Sequence, residues 1–133
     1  MTRDRVLKTV QDVMTLCPHS VGYDQPLEVA KTMMQQHGFR HLPVQSGGKI
    51  LGVVTERDIA LVTALSAGKI DALKVKDAFT PEPYVVTPEA SLKDVATHMN
   101  VDKIGCALVQ AGGKVVGIFT TTDACRVLAE SLN

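Results

Sequence analysis

The sequence repeats itself at a constant offset of 65 residues, with no insertion or deletion between the copies. Three blocks carry the repeat: residues 10–15 return as 75–80, residues 44–49 as 109–114, and residues 52–58 as 117–123. An unbroken register indicates one supersecondary unit that is used twice. In a chain of 133 residues with 45% hydrophobic content, we expect two half-length motifs that share one core: 1–67 with an N-terminal helix, and 68–133 with a short linker.

Composition excludes several functional classes. The 14 basic and 14 acidic residues balance, so the chain lacks the positive charge that drives binding to nucleic acids or to anionic membranes. No apolar run is long enough to cross a bilayer, and the N-terminal residues lack the apolar core of a leader peptide. We therefore expect a soluble, cytoplasmic protein with no nucleic-acid and no membrane partner.

Neither catalysis nor metal binding is indicated. The scattered residues Cys17, Cys106 and Cys125 form no Cys-x-x-Cys pair, and we expect each to be a small buried or half-buried apolar residue. His37 and His41 have the spacing of a helical metal pair, but Gly38 between them argues against one helix holding both. The sequence also lacks a Ser/His/Asp ordering and a phosphate-binding P-loop, so we expect no enzyme.

Each copy predicts the order helix, strand, helix, strand, strand, helix. In the first copy the segments are a helix at 6–14, a strand near 20–21, a helix from Pro26 to Gly38, strands at 42–44 and 50–54, and a helix from Thr55 to Gly68. In the second copy they are 75–79, 84–86, 91–101, 106–109, 115–119 and a helix to the C-terminus. Gly47-Gly48 and Gly112-Gly113 supply the positive φ of two hairpin turns. The fold class is therefore mixed, α/β (α+β).

A Gly-x-x-Thr-x-x-Asp unit stands in both copies where a strand gives way to a helix, at 52–58 and 117–123. One interpretation is structural: the threonine caps the helix and the aspartate completes a capping box. The other is functional: free N–H groups at a helix start bind anions, and a nearby carboxylate accepts the two hydroxyls of a ribose. The glycine would then allow close approach of a flat ring.

Asp12-Val13-Met14-Thr15, the run from Gly38 to Val44, and the run from Gly52 to Ile59 together resemble a cystathionine-β-synthase (CBS) motif, and the second copy resembles its tandem partner. The resemblance implies two β-α-β-β-α motifs packed in pseudo-twofold fashion as one compact module. It also implies clefts between them that hold an adenosyl ligand: AMP, ADP, ATP, NAD or S-adenosylmethionine. No cofactor is required.

The same resemblance implies roles for single residues. Thr55 and Thr120 would bind phosphate or ribose, and Asp58 and Asp123 the ribose hydroxyls. The backbone edge and apolar wall for adenine would come from Ser20, Val21, Val85 and Val86. The phosphate partners would be Arg40, His41 and Arg57. In the second copy Thr122 stands at the position of Arg57. Gly105 and Cys106 likewise replace Arg40 and His41, so equal occupancy of the two clefts is not expected.

Two functions remain open at this point. The first is a regulatory module that binds an adenosyl ligand and signals to an effector protein through a change in packing. The second is a ligand-free scaffold for dimerisation or docking. A homodimer is expected in both cases, because the last helix of each copy carries surplus apolar residues: Leu61, Val62, Leu65, Val127 and Leu128.

Overall fold

A computed structural model describes residues 8–132 and gives each copy of the repeat two helices and four strands. In chain order the elements are β1 Thr15–Leu16, β2 Val21–Gly22, α1 Leu27–His37, β3 His41–Ser46, β4 Lys49–Thr55, α2 Glu56–Leu65, β5 Thr80–Pro81, β6 Val85–Val86, α3 Leu92–Asp102, β7 Cys106–Ala111, β8 Lys114–Thr120 and α4 Thr121–Ser131. Short 3₁₀ turns lie at Val10–Asp12, Ile70–Ala72 and Val75–Asp77. The α+β class predicted from the sequence is confirmed.

The chain divides into two compact units. The central unit is His19–Pro83, and the split unit combines the chain up to Pro18 with the chain from Tyr84 onward. Each unit contains one four-stranded mixed sheet, with the order β2-β3-β4-β5 in the central unit and β1-β8-β7-β6 in the split unit. These boundaries differ from the division at 67/68, which followed the repeat in the sequence.

The difference arises because the copies exchange one short strand. β1, from the first copy, pairs antiparallel with β8, so that Thr15 stands opposite Ile118. β5, from the second copy, pairs with β4 in the corresponding register, Thr80 opposite Val53. Neither strand was predicted, because each pairs with a strand of the other copy, and no local pattern in the sequence indicates that pairing.

The hairpins follow their glycines. Gly47 and Gly48 have φ values of 59° and 86°, and Gly112 and Gly113 have 58° and 78°. Positive φ at both central residues defines the tight turn that matches the twist of antiparallel strands, and only glycine adopts it without strain. The predicted hairpins at 46–49 and 111–114 are therefore confirmed.

The predicted N-terminal helix is wrong in its described part, where only the 3₁₀ turn Val10–Asp12 forms; Val6 lies outside the described residues. The backbone of this segment bonds elsewhere: the Val10 N–H donates to the Ala90 carbonyl at 2.9 Å, and the Leu92 N–H donates to the Lys8 carbonyl at 3.0 Å. Groups engaged in this way cannot form the i to i−4 bonds of an α-helix. The corresponding segment Val75–Asp77 behaves alike, since the Val75 N–H donates to the Gln25 carbonyl.

Each unit has its own cluster of buried apolar side chains. The buried members in the central unit are Val21, Leu27, Ala30, Met34, Leu42, Val44, Val54, Ile59 and Val75. Those in the split unit are Val10, Val13, Val95, Met99, Ala107, Val109 and Phe119. Among the described residues, no helix combines the length and apolar character that a membrane crossing would need.

Candidate functional site

In the central unit, the junction of β4 and α2 places Thr55 and Asp58 in a reciprocal capping box. The Asp58 N–H donates to Thr55 Oγ1 at 3.0 Å, and the Thr55 N–H donates to Asp58 Oδ2 at 3.2 Å. Both residues are half-buried. In the described part of the chain Asp58 Oδ1 accepts no hydrogen bond, so one oxygen of this carboxylate is available to a ligand.

The split unit builds the same box from Thr120 and Asp123 at the junction of β8 and α4. The Asp123 N–H donates to Thr120 Oγ1 at 3.3 Å, and the Thr120 N–H donates to Asp123 Oδ2 at 3.0 Å. The Thr120 hydroxyl also lies 3.2 Å from Oδ2. The capping interpretation of both Thr–Asp units is therefore confirmed as local structure.

Asp123 differs from Asp58 because its second oxygen is also engaged. Thr15 Oγ1, on β1, donates to Asp123 Oδ1 at 2.8 Å, and Arg126 Nη2 lies 3.6 Å from the same oxygen. The guanidinium of Arg126 also donates to the Val13 carbonyl at 2.7 Å. Asp123 is only 7% exposed and is the one buried charged residue in the range 8–132. Its carboxylate thus holds β1 against the start of α4.

Thr15 and Arg126 were not predicted as members of this cluster. The sequence does contain one signal for Arg126, because the equivalent position in the first copy is the apolar Leu61. Thr80 corresponds to Thr15 and occupies the matching strand register, yet within residues 8–132 its hydroxyl makes no bond to Asp58. Only contacts across the fold distinguish the two threonines.

The helix starts offer fewer free N–H groups than expected. The Glu56 N–H donates to the Arg40 carbonyl at 2.9 Å, and Asp58 uses its own N–H in the capping box. In the described chain, this leaves Arg57 as the first-turn residue of α2 whose N–H has no acceptor. The split unit repeats the pattern with a 3.1 Å bond from the Thr121 N–H to the Gly105 carbonyl.

The predicted phosphate partners gather around the first Thr–Asp unit. Arg40 and Arg57 are exposed, and neither guanidinium forms an ion pair within residues 8–132. His41 is half-buried on β3, directly opposite Thr55. In the split unit Thr122 is exposed at the start of α4. Arg57 lies between Thr55 and Asp58 in the sequence, and the Arg40 carbonyl accepts from the neighbouring Glu56 N–H. The second copy has the neutral residues Gly105 and Thr122 at the positions of Arg40 and Arg57.

The predicted adenine contacts lie at sheet edges. Val21 on β2 and Val85 and Val86 on β6 belong to the outermost strands, so within residues 8–132 one edge of each backbone has no neighbouring strand. Ser20 is exposed just before β2. The Val21 side chain, however, is fully buried in the core cluster, so it cannot form the apolar wall that was expected of it. Val85, 39% exposed, keeps an accessible side chain.

Gly52 and Gly117 allow close packing within the sheets. A Cβ added to Gly52 would collide with the backbone carbonyl of Thr80 on β5. A Cβ added to Gly117 would collide with the side chain of Met14. The exchanged strand and its flanking residue therefore occupy the space in the Cβ direction of these two glycines.

The three cysteines differ in environment. Cys17 is buried and Cys106 is half-buried as expected, but Cys125 is exposed, because it lies on the outer face of α4. Burial raises the pKa of the Cys106 thiol to about 12, and the Cys17 thiol adds to this shift. No cluster of three or more His, Cys, Asp or Glu side chains suited to a metal ion occurs within residues 8–132.

Among curated proteins, the CBS domain-containing protein YhcV of Bacillus subtilis is 29% identical over 117 residues, which is 88% of this chain and 83% of YhcV. An inosine-5'-monophosphate dehydrogenase of Korarchaeum cryptofilum is also 29% identical over 117 residues, 86% of this chain. The match spans only 22% of that enzyme. The dehydrogenase likeness is therefore confined to a small part of a longer protein.

Solved structures share the fold over nearly the whole chain. A Vibrio cholerae protein assigned to acetoin utilization (AcuB) is 31% identical with a TM-score of 0.77, covering 93% of this chain and 92% of its own. The CBS domain pair of protein MJ0100, solved with 5'-methylthioadenosine and S-adenosyl-L-methionine, is 25% identical with a TM-score of 0.77, covering 91% of this chain and 99% of its own. The family model described as CBS domain matches residues 10–64 and 75–130. The chain therefore belongs to the CBS domain family and carries two CBS motifs in tandem.

Proposed function

We propose that this protein is a regulatory module that binds an adenosyl ligand and passes the binding on to an effector protein through a change in packing. The observation that carries the proposal is the pair of Thr–Asp units at helix starts, in a chain of the CBS family. The crystallised CBS pair of MJ0100, with its two adenosyl compounds, supports the ligand class.

The first Thr–Asp unit fits a ribose phosphate. Asp58 keeps one carboxylate oxygen for the ribose hydroxyls, and the Thr55 hydroxyl, which accepts one bond, retains its proton for donation. Charge-assisted hydrogen bonds of this type are the strong ones. The exposed guanidiniums of Arg40 and Arg57 have the fork geometry that suits phosphate oxygens, and the half-buried His41 lies nearby.

The base has matching partners at the sheet edges. An adenine presents donors and acceptors along one side, and the unpaired backbone edge of β2, preceded by Ser20, can bind them. The buried Val21 contributes its backbone alone. In the split unit, the backbone edge of β6 and the exposed Val85, with Val86 beside it, can contact an adenine in the same way. The ribose and phosphate partners there are the residues at the start of α4: Thr120, Thr122 and Asp123.

A thermal-shift panel of AMP, ADP, ATP, NAD and S-adenosylmethionine tests the proposal, with guanosine monophosphate as a control for the base. A ligand at about 100 times its dissociation constant stabilises the folded state by about 2.7 kcal/mol, which raises the melting temperature of a domain of this size by several degrees. We expect at least one panel compound to do so. A chain that responds to none of them, or equally to the guanine control, would contradict the proposal.

A scaffold role without ligand is the second candidate, because the structure exposes large apolar side chains. Leu65 is 80% exposed on α2, and Leu61 and Leu128 are each 59% exposed on α2 and α4. Exposed apolar groups on the last helices of both copies favour an interface with a second copy of the chain. A homodimer is compatible with both candidates, and ligand binding is what separates them.

A further inference from the structure

We propose that Thr15 and Arg126 determine which of the two Thr–Asp units takes the ribose. Both residues engage Asp123 Oδ1, which closes the Asp123 carboxylate to a ligand. Asp58 is then the ribose acceptor of the one high-affinity site in each chain. This inference rests on the proposed function and adds a ranking of its two sites.

The two carboxylates differ in how many of their oxygens are available to a ligand. Asp58 spends one oxygen on its capping box and has the other available, in a half-buried position. Asp123 spends Oδ2 on Thr120 and Oδ1 on Thr15 and Arg126, and is 7% exposed. A carboxylate that accepts two vicinal hydroxyls needs free lone pairs directed at solvent or ligand.

A ribose at Asp123 therefore has to displace the Thr15 hydroxyl. That 2.8 Å bond connects a neutral donor to a charge, and bonds of this kind contribute more to stability than neutral ones. Displacing it would also loosen β1, which Arg126 holds through the Val13 carbonyl. The loss of the Thr15–Asp123 bond offsets most of the free energy gained from the new bonds to the ribose. We therefore expect at least about 10-fold weaker binding at Asp123 than at Asp58.

The difference originates in the side chains and not in the strands. Thr15 and Thr80 occupy the same register, opposite Ile118 and Val53, at the offset of the repeat. What the first copy lacks is the guanidinium, because Leu61 stands where Arg126 stands in the second. Arg126 thus acts through Thr15 and Asp123 as a positioning residue and does not itself need to touch the ligand.

Calorimetric titration tests the ranking. The probe is the compound among AMP, ADP, ATP, NAD and S-adenosylmethionine that gives the largest thermal shift. We expect one strong site per chain in the parent. Arg126→Leu and Thr15→Val should each strengthen a second site to within about 10-fold of the first, whereas Thr15→Ser, which keeps the hydroxyl, should behave as the parent. Two equal sites in the parent, or no change in the Leu and Val variants, would overturn the proposal.

A double-mutant cycle without ligand tests the closing of Asp123 by itself. Thr15→Val and Asp123→Asn should be coupled by about 10-fold in the unfolding equilibrium constant, and the matched pair Thr80→Val and Asp58→Asn should be additive. If Thr15→Val and Asp123→Asn are additive, Thr15 does not close the Asp123 carboxylate, and the proposal fails regardless of the binding results. If the coupling is present but no panel compound binds, the proposed function fails, and the ranking of the sites is overturned with it.

Discussion

The hydroxyl of Thr15 donates a 2.8 Å hydrogen bond to Asp123 Oδ1, joining residues 108 positions apart in the chain. It connects an exchanged strand of the first CBS motif to the helix start of the second. At the corresponding helix start of the first motif, within the described residues, Asp58 forms only its capping box. Two repeats with the same local motif therefore present two different carboxylates.

The first prediction concerns stability. Thr55 is the N-cap and Asp58 the third helical residue of the capping box, where the amide oxygen of an asparagine can still accept from the Thr55 N–H. Asp58→Asn should therefore lower the free energy of unfolding by only about 0.5 kcal/mol, the lost interaction with the helix dipole. Asp123→Asn removes a charged acceptor from Thr15 in a buried position and should cost about 1.5–3 kcal/mol. Urea unfolding of both variants measures the difference, and equal costs would show that Thr15 adds nothing.

The two strand glycines should differ in their tolerance of alanine. At Gly52 the added methyl meets the backbone of Thr80, which cannot move without breaking the pairing of β4 and β5. At Gly117 it meets the flexible side chain of Met14. We expect Gly52→Ala to cost about 3 kcal/mol and Gly117→Ala about 1 kcal/mol, as measured by chemical denaturation. The reverse order would contradict the close approach of β5.

The cysteines provide a prediction in pH. At pH 8 the exposed Cys125 should react rapidly with a disulfide reagent, while Cys17 and Cys106 react only as the chain unfolds. The raised pKa of Cys106 also makes stability depend on pH. The protonated Cys106 thiol contributes fully to the free energy of unfolding below the unfolded pKa near 9.0. This contribution is lost as the pH rises toward 12, because the unfolded chain releases the thiol proton at a lower pH than the folded chain does.

Cys125→Ser is the control for the rapid reaction. In that variant we expect no fast thiol at pH 8 and an unchanged loss of stability above pH 9. A second fast thiol in the folded parent would mean that Cys106 is ionised well below a pKa of about 12.

Local patterns determined what could be predicted from the sequence. The hairpins depend on paired glycines, and α1 to α4 on apolar spacing and caps, all read within a few residues of the chain. β1 and β5 were not predicted, because each pairs with a strand of the other copy. The closing of Asp123 was missed for the same reason, since it depends on a threonine distant in sequence.

The dimer prediction concerns the exposed leucines. Leu65 and Leu128 lie on the last helices of the two copies, and neither contributes to a core cluster. We expect the parent chain to show a dimer mass in light scattering at tens of micromolar, and Leu65→Glu with Leu128→Glu to show a monomer. Because both positions are exposed, the circular dichroism spectrum should not change. A monomeric parent would contradict the prediction.

The most direct test of the central proposal compares the affinity of the best panel compound for the parent, Asp58→Asn and Asp71→Asn. The last variant removes the same charge from the same unit, at an exposed position in the 3₁₀ turn Ile70–Ala72. An amide in place of the Asp58 carboxylate weakens charge-assisted bonds to a ribose, so we expect at least about a 10-fold loss of affinity in Asp58→Asn and parental affinity in Asp71→Asn. Equal affinities in all three proteins would contradict a ribose-binding role for Asp58.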